Sequence, residues 1–247
     1  MGCYPEHKFF GNCAFANSRF AFDHVAAQMT LIELNGGPTN VRDANLNAMY
    51  EQNQDFDPGS PKAKKVRRVL NYLLEAFPEK TPELKRFSVI SLYTMISDLL
   101  ENYVVQDRQG DLASWFIAFD LYRLEQAQLP EEEIEPEMTV YQEKTRYSTD
   151  AVDSINWRHE FLMRKFFETY PEIELKDDQR LFTNEQRIAI FRRDKSICQV
   201  RLACDGIKCE WGKWHADHKV AWANGGKTTV ANGQVACLAC NAAKGTQ

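Results

Sequence analysis

The first two thirds of the chain place apolar residues at the spacing of an α-helix. In the segment 18–34, a stripe with a 3.6-residue period contains Phe20, Val25, Ala26, Met29 and Ile32. The Asn-Gly-Gly-Pro sequence at 35–38 then predicts the end of this helix. Similar patterns predict further helices over 40–53, 64–77, 81–105, 111–128 and 148–170. We therefore expect an all-helical N-terminal region.

Local signals define the ends and connections of these helices. Thr81 is the predicted N-cap of the 81–105 segment, which is apolar on more than one face and is the expected central, buried helix. The segment 129–140 contains five glutamates and two prolines, which predicts a solvated connection and a possible linker between domains. The domain boundaries predicted from these features are 1–175 for an acidic helical domain and 180–247 for a second domain.

The last third of the chain has a different pattern. A short helix is predicted in 183–194, capped by Thr183 or Asn184, and short β-like segments rich in glycine and cysteine follow it. Residues 180–247 contain eleven Lys and Arg against five Asp and Glu, a net charge of +6. Residues 1–179 contain nineteen Lys and Arg against thirty Asp and Glu, a net charge of −11. The basic segment is therefore the part expected to face a polyanion, although a solvated basic surface would have the same composition.

Composition narrows the class of protein. The 247 residues are 44% hydrophobic and 26% charged, which is typical of a soluble globular protein with one or two domains. No run of eighteen apolar residues occurs, which argues against a membrane partner, and the N-terminus does not have the pattern of a secretory signal. Five of the seven cysteines lie in the last fifty residues. The odd count without an export signal predicts a reducing, cytoplasmic location.

The cysteine cluster predicts a structural zinc site. Cys237 and Cys240 have the spacing at which two thiolates hold one tetrahedral Zn²⁺. Two further ligands must come from upstream, where Cys198 is the first choice and Cys204 the second, with Cys209 as the alternative to Cys204. Merely buried cysteines are the competing interpretation, but five cysteines within 43 residues favour zinc.

A second set of residues beside the cysteines is not explained by a four-cysteine zinc site. Asp217 supplies a carboxylate and Asn241 an amide oxygen, and such oxygens suit a hard cation such as Mg²⁺ or Mn²⁺. His218 is a candidate general base, because a neutral imidazole can take a proton from water at cytoplasmic pH. Lys244 lies three residues after Asn241, so a short helix would point both side chains the same way. The role of His215 stays open.

Together these motifs resemble those of the HNH endonuclease family, whose ββα-metal fold consists of two strands, a loop and a helix around one divalent cation. The Asp-His pair at 217–218 is similar to the first acidic-His pair of the family. The stretch "GGKTTVANGQ" at 225–234 resembles its Gly-rich loop, and "CLACNAAKG" at 237–245 is similar to its zinc knuckle and helix. The sequence "FRRDKSICQ" at 191–199 resembles the Arg-Asp-x-x-x-Cys sequence that precedes this motif in family members with a structural zinc site. The resemblance covers about residues 183–247.

The resemblance implies a role for each motif residue. His218 would activate the attacking water, Asp217 and Asn241 would bind the catalytic cation, and Lys244 would lie near the phosphate. Asn232 would brace the loop and so orient His218. Since neighbouring residues of an ideal strand point to opposite faces, the strand must end or bulge for Asp217 and His218 to converge. The implied fold is mainly α, with an all-helical N-terminal domain followed by a small zinc-bound ββα-metal domain.

The helical region has a looser resemblance of its own. The segments 17–34 and 41–53 are similar to the helical region of GmrSD-like restriction and phage-defence proteins, which lies between a ParB-like domain and a C-terminal HNH domain. The Asp-Gly-Gln-Arg-type nucleotide motif of the ParB-like domain is absent from this sequence. The chain is therefore either a fragment of a longer protein or a stand-alone relative, and nucleotide dependence stays open.

The interpretation that combines these features is a metal-dependent HNH endonuclease acting on DNA, in restriction or anti-phage defence. A first alternative is a non-catalytic, zinc-stabilised module that binds nucleic acid. Asp217, His218 and Asn241 together argue against it, because a structural knuckle needs none of them. A second alternative is a nuclease subunit that is active only with a partner subunit or with a missing N-terminal ParB-like domain.

Overall fold

A computed structural model describes residues 4–245 of the chain. Within these residues the structure contains ten α-helices and one two-stranded antiparallel sheet. The predicted fold class, a helical N-terminal region followed by a small ββα region, is confirmed. The helices are α1 Lys8–Gly11, α2 Ala21–Asn35, α3 Asp43–Gln52, α4 Pro61–Ala76, α5 Arg86–Asn102, α6 Gln109–Gln126, α7 Pro136–Arg146, α8 Val152–Thr169, α9 Asn184–Arg193 and α10 Leu238–Lys244, and the strands are β1 Trp214–His218 and β2 Gly233–Cys237.

The described residues divide into two compact units. The first, called the helical unit, comprises the chain up to Glu101 together with Asp107–Glu172. The second, called the small unit, comprises Asn102–Gln106 and the chain from Ile173 onward. Whether the predicted boundaries 1–175 and 180–247 delimit domains that fold independently stays a prediction.

The small unit includes a piece of sequence from the connection between α5 and α6. In this piece the Val104 N–H donates to the Glu174 carbonyl at 3.0 Å, and the Lys176 N–H donates to the Asn102 carbonyl at 2.8 Å. Backbone pairing of this kind depends on the path of the chain and has no local sequence signal. The contribution of Asn102–Gln106 was therefore not predicted.

The helical unit contains one helix that is buried over most of its length. Twelve of the seventeen residues of α5 are buried, and Val89, Leu92 and Ile96 are among them. A helix that is apolar on more than one face must be surrounded by other elements to leave water. The identification of this segment as the central buried helix agrees with the structure.

The start of α5 differs from the prediction. The helix begins at Arg86, five residues after Thr81, and Thr81 is not its N-cap. The Thr81 hydroxyl donates instead to the Glu79 carbonyl at 2.9 Å, and the Thr81 N–H donates to the Asn12 carbonyl at 2.9 Å. These contacts hold Thr81 in the loop that precedes α5, and the helix starts later.

The acidic segment 129–140 is solvated in its first part but does not link the two units. Its glutamates are exposed, as expected from their charge. Helix α7, however, begins at Pro136 within this segment and belongs to the helical unit. Met138 and Tyr141 of α7 are 0% and 1% exposed, because they pack into the core of that unit. The interpretation of 129–140 as an interdomain linker is therefore corrected.

The helical unit also buries a charged residue. Arg158 on α8 is 1% exposed, and burial lowers the pKa of its guanidinium. The guanidinium donates to the Ser91 hydroxyl at 2.8 Å, the Lys144 carbonyl at 2.6 Å and the Thr149 carbonyl at 3.0 Å. These bonds offset the desolvation of the guanidinium and tie α8 to α5 and to the end of α7.

In the small unit, β1 and β2 pair antiparallel, with Trp214 opposite Cys237 and His218 opposite Gly233. Helix α10 follows β2 directly, and Cys237 is its N-cap. Helix α9 begins with a reciprocal capping box between Thr183 and Gln186, which identifies Thr183 as the cap. A cluster of eight buried residues lies among these elements in the described part of the chain: Phe182, Ile190, Cys198, Cys209, Trp214, Val235, Cys237 and Cys240.

The helices were also compared with the length and hydropathy that a membrane span requires. Among residues 4–245, none of the helices is both long and apolar enough to cross a bilayer.

Candidate metal centre and active-site cleft

Four cysteine side chains of the small unit converge on one point. The sulfur atoms of Cys198, Cys204, Cys237 and Cys240 all lie within 4.8 Å of one another. The Cys204 sulfur is 3.9 Å from that of Cys237 and 3.5 Å from that of Cys240. Zn–S bonds of about 2.3 Å in a tetrahedral site would separate two sulfurs by roughly 3.8 Å, whereas a disulfide needs about 2.05 Å. The cluster therefore has the spacing of a metal site.

Backbone N–H groups donate hydrogen bonds to sulfur atoms of the cluster. The Cys237 N–H donates to the Cys198 sulfur at 3.3 Å, and the Cys240 N–H donates to the Cys237 sulfur at 3.4 Å. A hydrogen bond from the Ile207 N–H is the main cause that lowers the pKa of Cys204 to about 6. Burial raises the pKa of Cys240 to about 11. The lowered pKa thus prepares Cys204 to lose its proton, as a metal ligand must.

The alternative ligand, Cys209, lies outside this cluster. Within the described residues, the group that could hold a metal ion contains Cys204 and not Cys209. The Cys209 sulfur lies 3.9 Å from the Ile207 carbonyl oxygen, and burial raises the pKa of this thiol. Cys209 is therefore a packed core residue beside the cluster.

A cleft of about 440 Å³ opens beside β1 and α10. Five residues singled out from the sequence line this cleft: His215, Asp217, His218, Asn241 and Lys244. Strand β1 ends at His218, where a strand end or bulge was expected from side-chain alternation. The groups predicted as general base and cation ligands therefore border one cavity.

The Asp217 carboxylate is held by two side chains. Lys244 Nζ lies 2.7 Å from Asp217 Oδ2, and the Gln234 amide donates to the same oxygen at 2.8 Å. Gln234 is opposite Asp217 in the sheet register, so strand pairing positions this amide. Lys244 also donates to the His218 carbonyl. Among the residues that the structure describes, both of these contacts to the carboxylate use Oδ2, which leaves the lone pairs of Oδ1 for a further ligand.

The His218 ring is packed on one side and hydrogen-bonded at one nitrogen. Its centroid lies 4.4 Å from that of Phe182, with the two planes inclined by 34°. Its Nε2 lies 3.0 Å from the Thr228 hydroxyl oxygen. Burial lowers the pKa of His218, against the opposing effect of Asp217. A lowered pKa keeps the imidazole neutral, so that it can accept a proton at neutral pH.

Asn232 braces the loop that joins the two strands. Its amide nitrogen donates to the Val220 carbonyl at 3.1 Å and to the Lys227 carbonyl at 2.9 Å, and its amide oxygen accepts from the Val220 N–H at 3.0 Å. These contacts cross-link the two ends of the loop, as the loop-bracing role requires. Asn232 is not among the described residues that line the cleft, and its effect on catalysis stays a prediction.

Steric constraints require glycine at positions 225 and 226 of the same loop. Gly225 has a φ of +81°, a conformation that other residues rarely adopt. At Gly226 an added Cβ would lie 1.8 Å from the Val220 carbonyl oxygen. The close approach of these two backbone segments lets Asn232 reach across the loop, so the pair is required by the fold of the loop.

Residues on both sides of the Asp-His motif complete the cleft, and the sequence analysis did not identify them. Arg180, Arg187 and Trp222 line it together with the motif residues. The Arg180 guanidinium carbon lies 5.4 Å from the centroid of the Trp222 ring, whose Nε1–H donates to the Asp177 carbonyl at 2.6 Å. The basic composition of 180–247 was the one signal that pointed to cationic groups here, and it did not select individual residues.

Comparison with known proteins finds one family in the C-terminal part of the chain. The sequence model of the HNH endonuclease family matches residues 203–247. The match contains Asp217, His218 and Asn241 and begins after Cys198. It does not extend into the helical unit, so the resemblance of that unit to GmrSD-like proteins stays a prediction. No curated protein and no solved structure matches the chain.

Proposed function

We propose that the chain is a metal-dependent endonuclease that hydrolyses phosphodiester bonds in DNA. The observation that carries this proposal is the shared cleft of an imidazole, a carboxylate and an amide: His218, Asp217 and Asn241. The HNH endonuclease match over residues 203–247 includes all three. A zinc module that only binds nucleic acid would need none of these groups at a common cavity, which disfavours that alternative.

The donor set of the cleft suits a hard divalent cation. Asp217 offers the carboxylate oxygen that neither Lys244 nor Gln234 contacts, and Asn241 offers an amide oxygen. Mg²⁺ and Mn²⁺ prefer such oxygens, and Mg²⁺ usually keeps several water ligands beside one or two from the protein. When bound, such a cation would stabilise the negative charge that develops on the phosphate and on the leaving oxygen.

His218 is the proposed general base. A water molecule transfers a proton to the imidazole while its oxygen forms a bond to phosphorus, and the bond between phosphorus and the leaving oxygen breaks. Burial against Phe182 keeps the imidazole neutral before this step and restricts its rotation. Lys244 and Arg180 are cationic groups at the same cleft, and we assign to them the positioning of the phosphate.

The four-cysteine cluster is proposed to hold one structural Zn²⁺ through Cys198, Cys204, Cys237 and Cys240. Its sulfur spacing and the low pKa of Cys204 support this assignment. Cys237 is also the N-cap of α10, the helix that carries Asn241 and Lys244. Zinc would thus fix the helix that supplies Asn241, a proposed ligand of the catalytic metal ion, and Lys244, a positively charged side chain of the cleft.

The substrate class is proposed from the net charge, and the biological role from the resemblance of the helical region. The net charge of +6 over residues 180–247, with Arg180 and Arg187 at the cleft, favours a polyanionic substrate such as DNA. A cytoplasmic role in restriction or anti-phage defence is proposed on the resemblance of the helical region alone. The net charge of −11 over residues 1–179 is also compatible with a basic partner subunit that activates the nuclease. Full activity of the isolated monomer would argue against such a partner.

The direct test is cleavage of supercoiled plasmid DNA by the full chain with Mg²⁺ or Mn²⁺. We expect cleavage that EDTA abolishes and that His218→Ala reduces by roughly 100-fold or more, since a general base contributes about 10²–10⁴ to the rate. His24→Ala, purified in the same way, serves as the control for contaminating nucleases, because His24 pairs with Asp43 in the helical unit. Equal cleavage by wild type and His218→Ala would remove the assigned base.

A further inference from the structure

One hydroxyl connects His218 to a segment outside the residues matched to the HNH family. Thr228 Oγ1 lies 3.0 Å from His218 Nε2 and also donates a hydrogen bond to the Gln179 carbonyl oxygen. Thr228 is 4% exposed, so its hydroxyl is shielded from water. These two contacts together determine which group donates each hydrogen.

A threonine hydroxyl has one hydrogen and two lone pairs, and a carbonyl oxygen can only accept. The hydrogen of the Thr228 hydroxyl therefore points to Gln179, because the carbonyl oxygen has no hydrogen of its own to place between the two oxygens. A lone pair of Thr228 then faces His218. His218 Nε2 can contact that lone pair favourably only if Nε2 carries a hydrogen, which places the lone pair of the neutral ring on Nδ1.

The upstream segment fixes both partners of this arrangement. The two oxygens of the Asp177 carboxylate accept from the Thr228 N–H at 2.7 Å and from the Gln179 N–H at 3.0 Å. The Gln186 side chain donates to the Thr228 carbonyl at 2.9 Å. Thr228 is thus held through its N–H, its carbonyl and its hydroxyl, so its orientation does not depend on the flexibility of the loop.

We infer that Thr228 is a positioning residue for His218, holding the imidazole through Nε2–H with the hydroxyl oriented by the Gln179 carbonyl. Nδ1 is then the atom that takes the proton from water. The Nε2–H bond is the same before and after this transfer, so the ring need not turn during the step. The effect on cleavage rests on the proposed function, whereas the position of the hydrogen can be measured without activity.

The first readout is nitrogen-15 NMR of the imidazole rings in the full chain at neutral pH, with His218 assigned by comparison with His218→Ala. We expect the hydrogen of wild-type His218 on Nε2 and protected from exchange with water. A hydrogen on Nδ1 would overturn the inference, whether or not the protein cleaves DNA. An expected spectrum with no cleavage by the wild type would instead refute the proposed function alone.

The second readout compares three variants of the loop. Thr228→Val removes the hydroxyl with little change of shape, and we expect faster exchange of the Nε2 hydrogen. The single-turnover cleavage rate should fall roughly 10- to 100-fold, a part of the about 10²–10⁴ that a well-placed general base contributes. DNA affinity should stay within about twofold, because Thr228 acts on the chemical step. Thr228→Ser keeps the hydroxyl and should restore both properties.

Thr229→Val is the matched control for general loosening of the loop. Its hydroxyl accepts from the Asn232 N–H at 3.3 Å. We expect this variant to keep the Nε2 hydrogen protected even if it slows cleavage. Equal loss of protection in Thr228→Val and Thr229→Val, or no recovery in Thr228→Ser, would reduce Thr228 to a structural residue of the loop.

Discussion

The interior of the helical unit and the interior of the small unit are stabilised in different ways. The helical unit surrounds α5, which is buried along most of its length by apolar side chains of its neighbours. Of the eight buried residues in the cluster of the small unit, four are cysteines. Stability from apolar burial grows with the area removed from water, and a cluster this small removes little. We therefore expect the unit that carries the cleft to obtain its rigidity from the proposed zinc site and from loop hydrogen bonds.

The largest expected effect comes from removing one sulfur of the four-cysteine group formed by Cys198, Cys204, Cys237 and Cys240. Cys204→Ser should abolish zinc binding and unfold the small unit, because structural zinc contributes about 10–16 kcal/mol to the folding of comparable small domains. The helical unit should stay folded, since its core contains none of these ligands. Zinc content per chain and the NMR signals of the two units measure both outcomes, with about one zinc expected in the wild type.

Cys209→Ser is the matched control, because Cys209 is buried in the same core but is not one of the four cysteines whose sulfurs converge. This variant should keep one zinc and lose at most about 1–3 kcal/mol, the cost of burying a hydroxyl in place of a thiol. If Cys204→Ser retained zinc and a folded small unit, sulfur would not be what distinguishes the two units.

The next largest effect is expected in the helical unit, from removal of its buried guanidinium. Arg158→Ala should lower the free energy of unfolding of the helical unit by about 3–5 kcal/mol, because it opens a cavity and removes the donor of the hydrogen bonds to Ser91, Lys144 and Thr149. Zinc content should not change. Arg164→Ala is the control, since Arg164 is 46% exposed and its surface ion pairs contribute about 0–1 kcal/mol. A comparable loss in both variants, measured by denaturant titration, would contradict the role of the buried guanidinium.

The smallest effect compares the same substitution in the two units. Gly226→Ala forces a methyl group against the Val220 carbonyl and should cost about 1–3 kcal/mol, with slower cleavage because the loop that holds Thr228 is displaced. Gly110→Ala in α6 meets no atom within 4 Å and should stabilise the helical unit by roughly 0.4–1 kcal/mol. Thermal unfolding of both variants would show whether the loop is as tightly constrained as its contacts require.

The same difference explains how much of the fold could be predicted from the sequence. Helical periodicity is local, so the helices of the first unit and the central position of α5 follow from the pattern. The start of α5 could not be predicted, because Thr81 bonds to Asn12, 69 residues earlier in the chain. The segment 129–140 was misinterpreted for a related reason. Its charge is visible in the sequence, whereas the burial of Met138 depends on tertiary packing.

In the candidate site, ligand chemistry could be predicted and contacts could not. The residue types and spacing of Asp217, His218 and the C-x2-C pair selected the groups that line the cleft or form the cluster. The pairing of Asp217 with Lys244 and the contact of Thr228 with Gln179 join residues 27 and 49 positions apart. Such contacts depend on the path of the loop and of the upstream segment, which periodicity and spacing do not encode.

The most direct test of the account separates the two roles assigned to adjacent residues. Mn²⁺ binding, measured by electron paramagnetic resonance, and DNA cleavage would be followed on the same samples of wild type, Asp217→Ala and His218→Ala. We predict that Asp217→Ala weakens Mn²⁺ binding by roughly tenfold or more and abolishes cleavage. We predict that His218→Ala keeps Mn²⁺ binding and still loses cleavage. Unchanged Mn²⁺ affinity in Asp217→Ala, or cleavage by His218→Ala at the wild-type rate, would contradict the account.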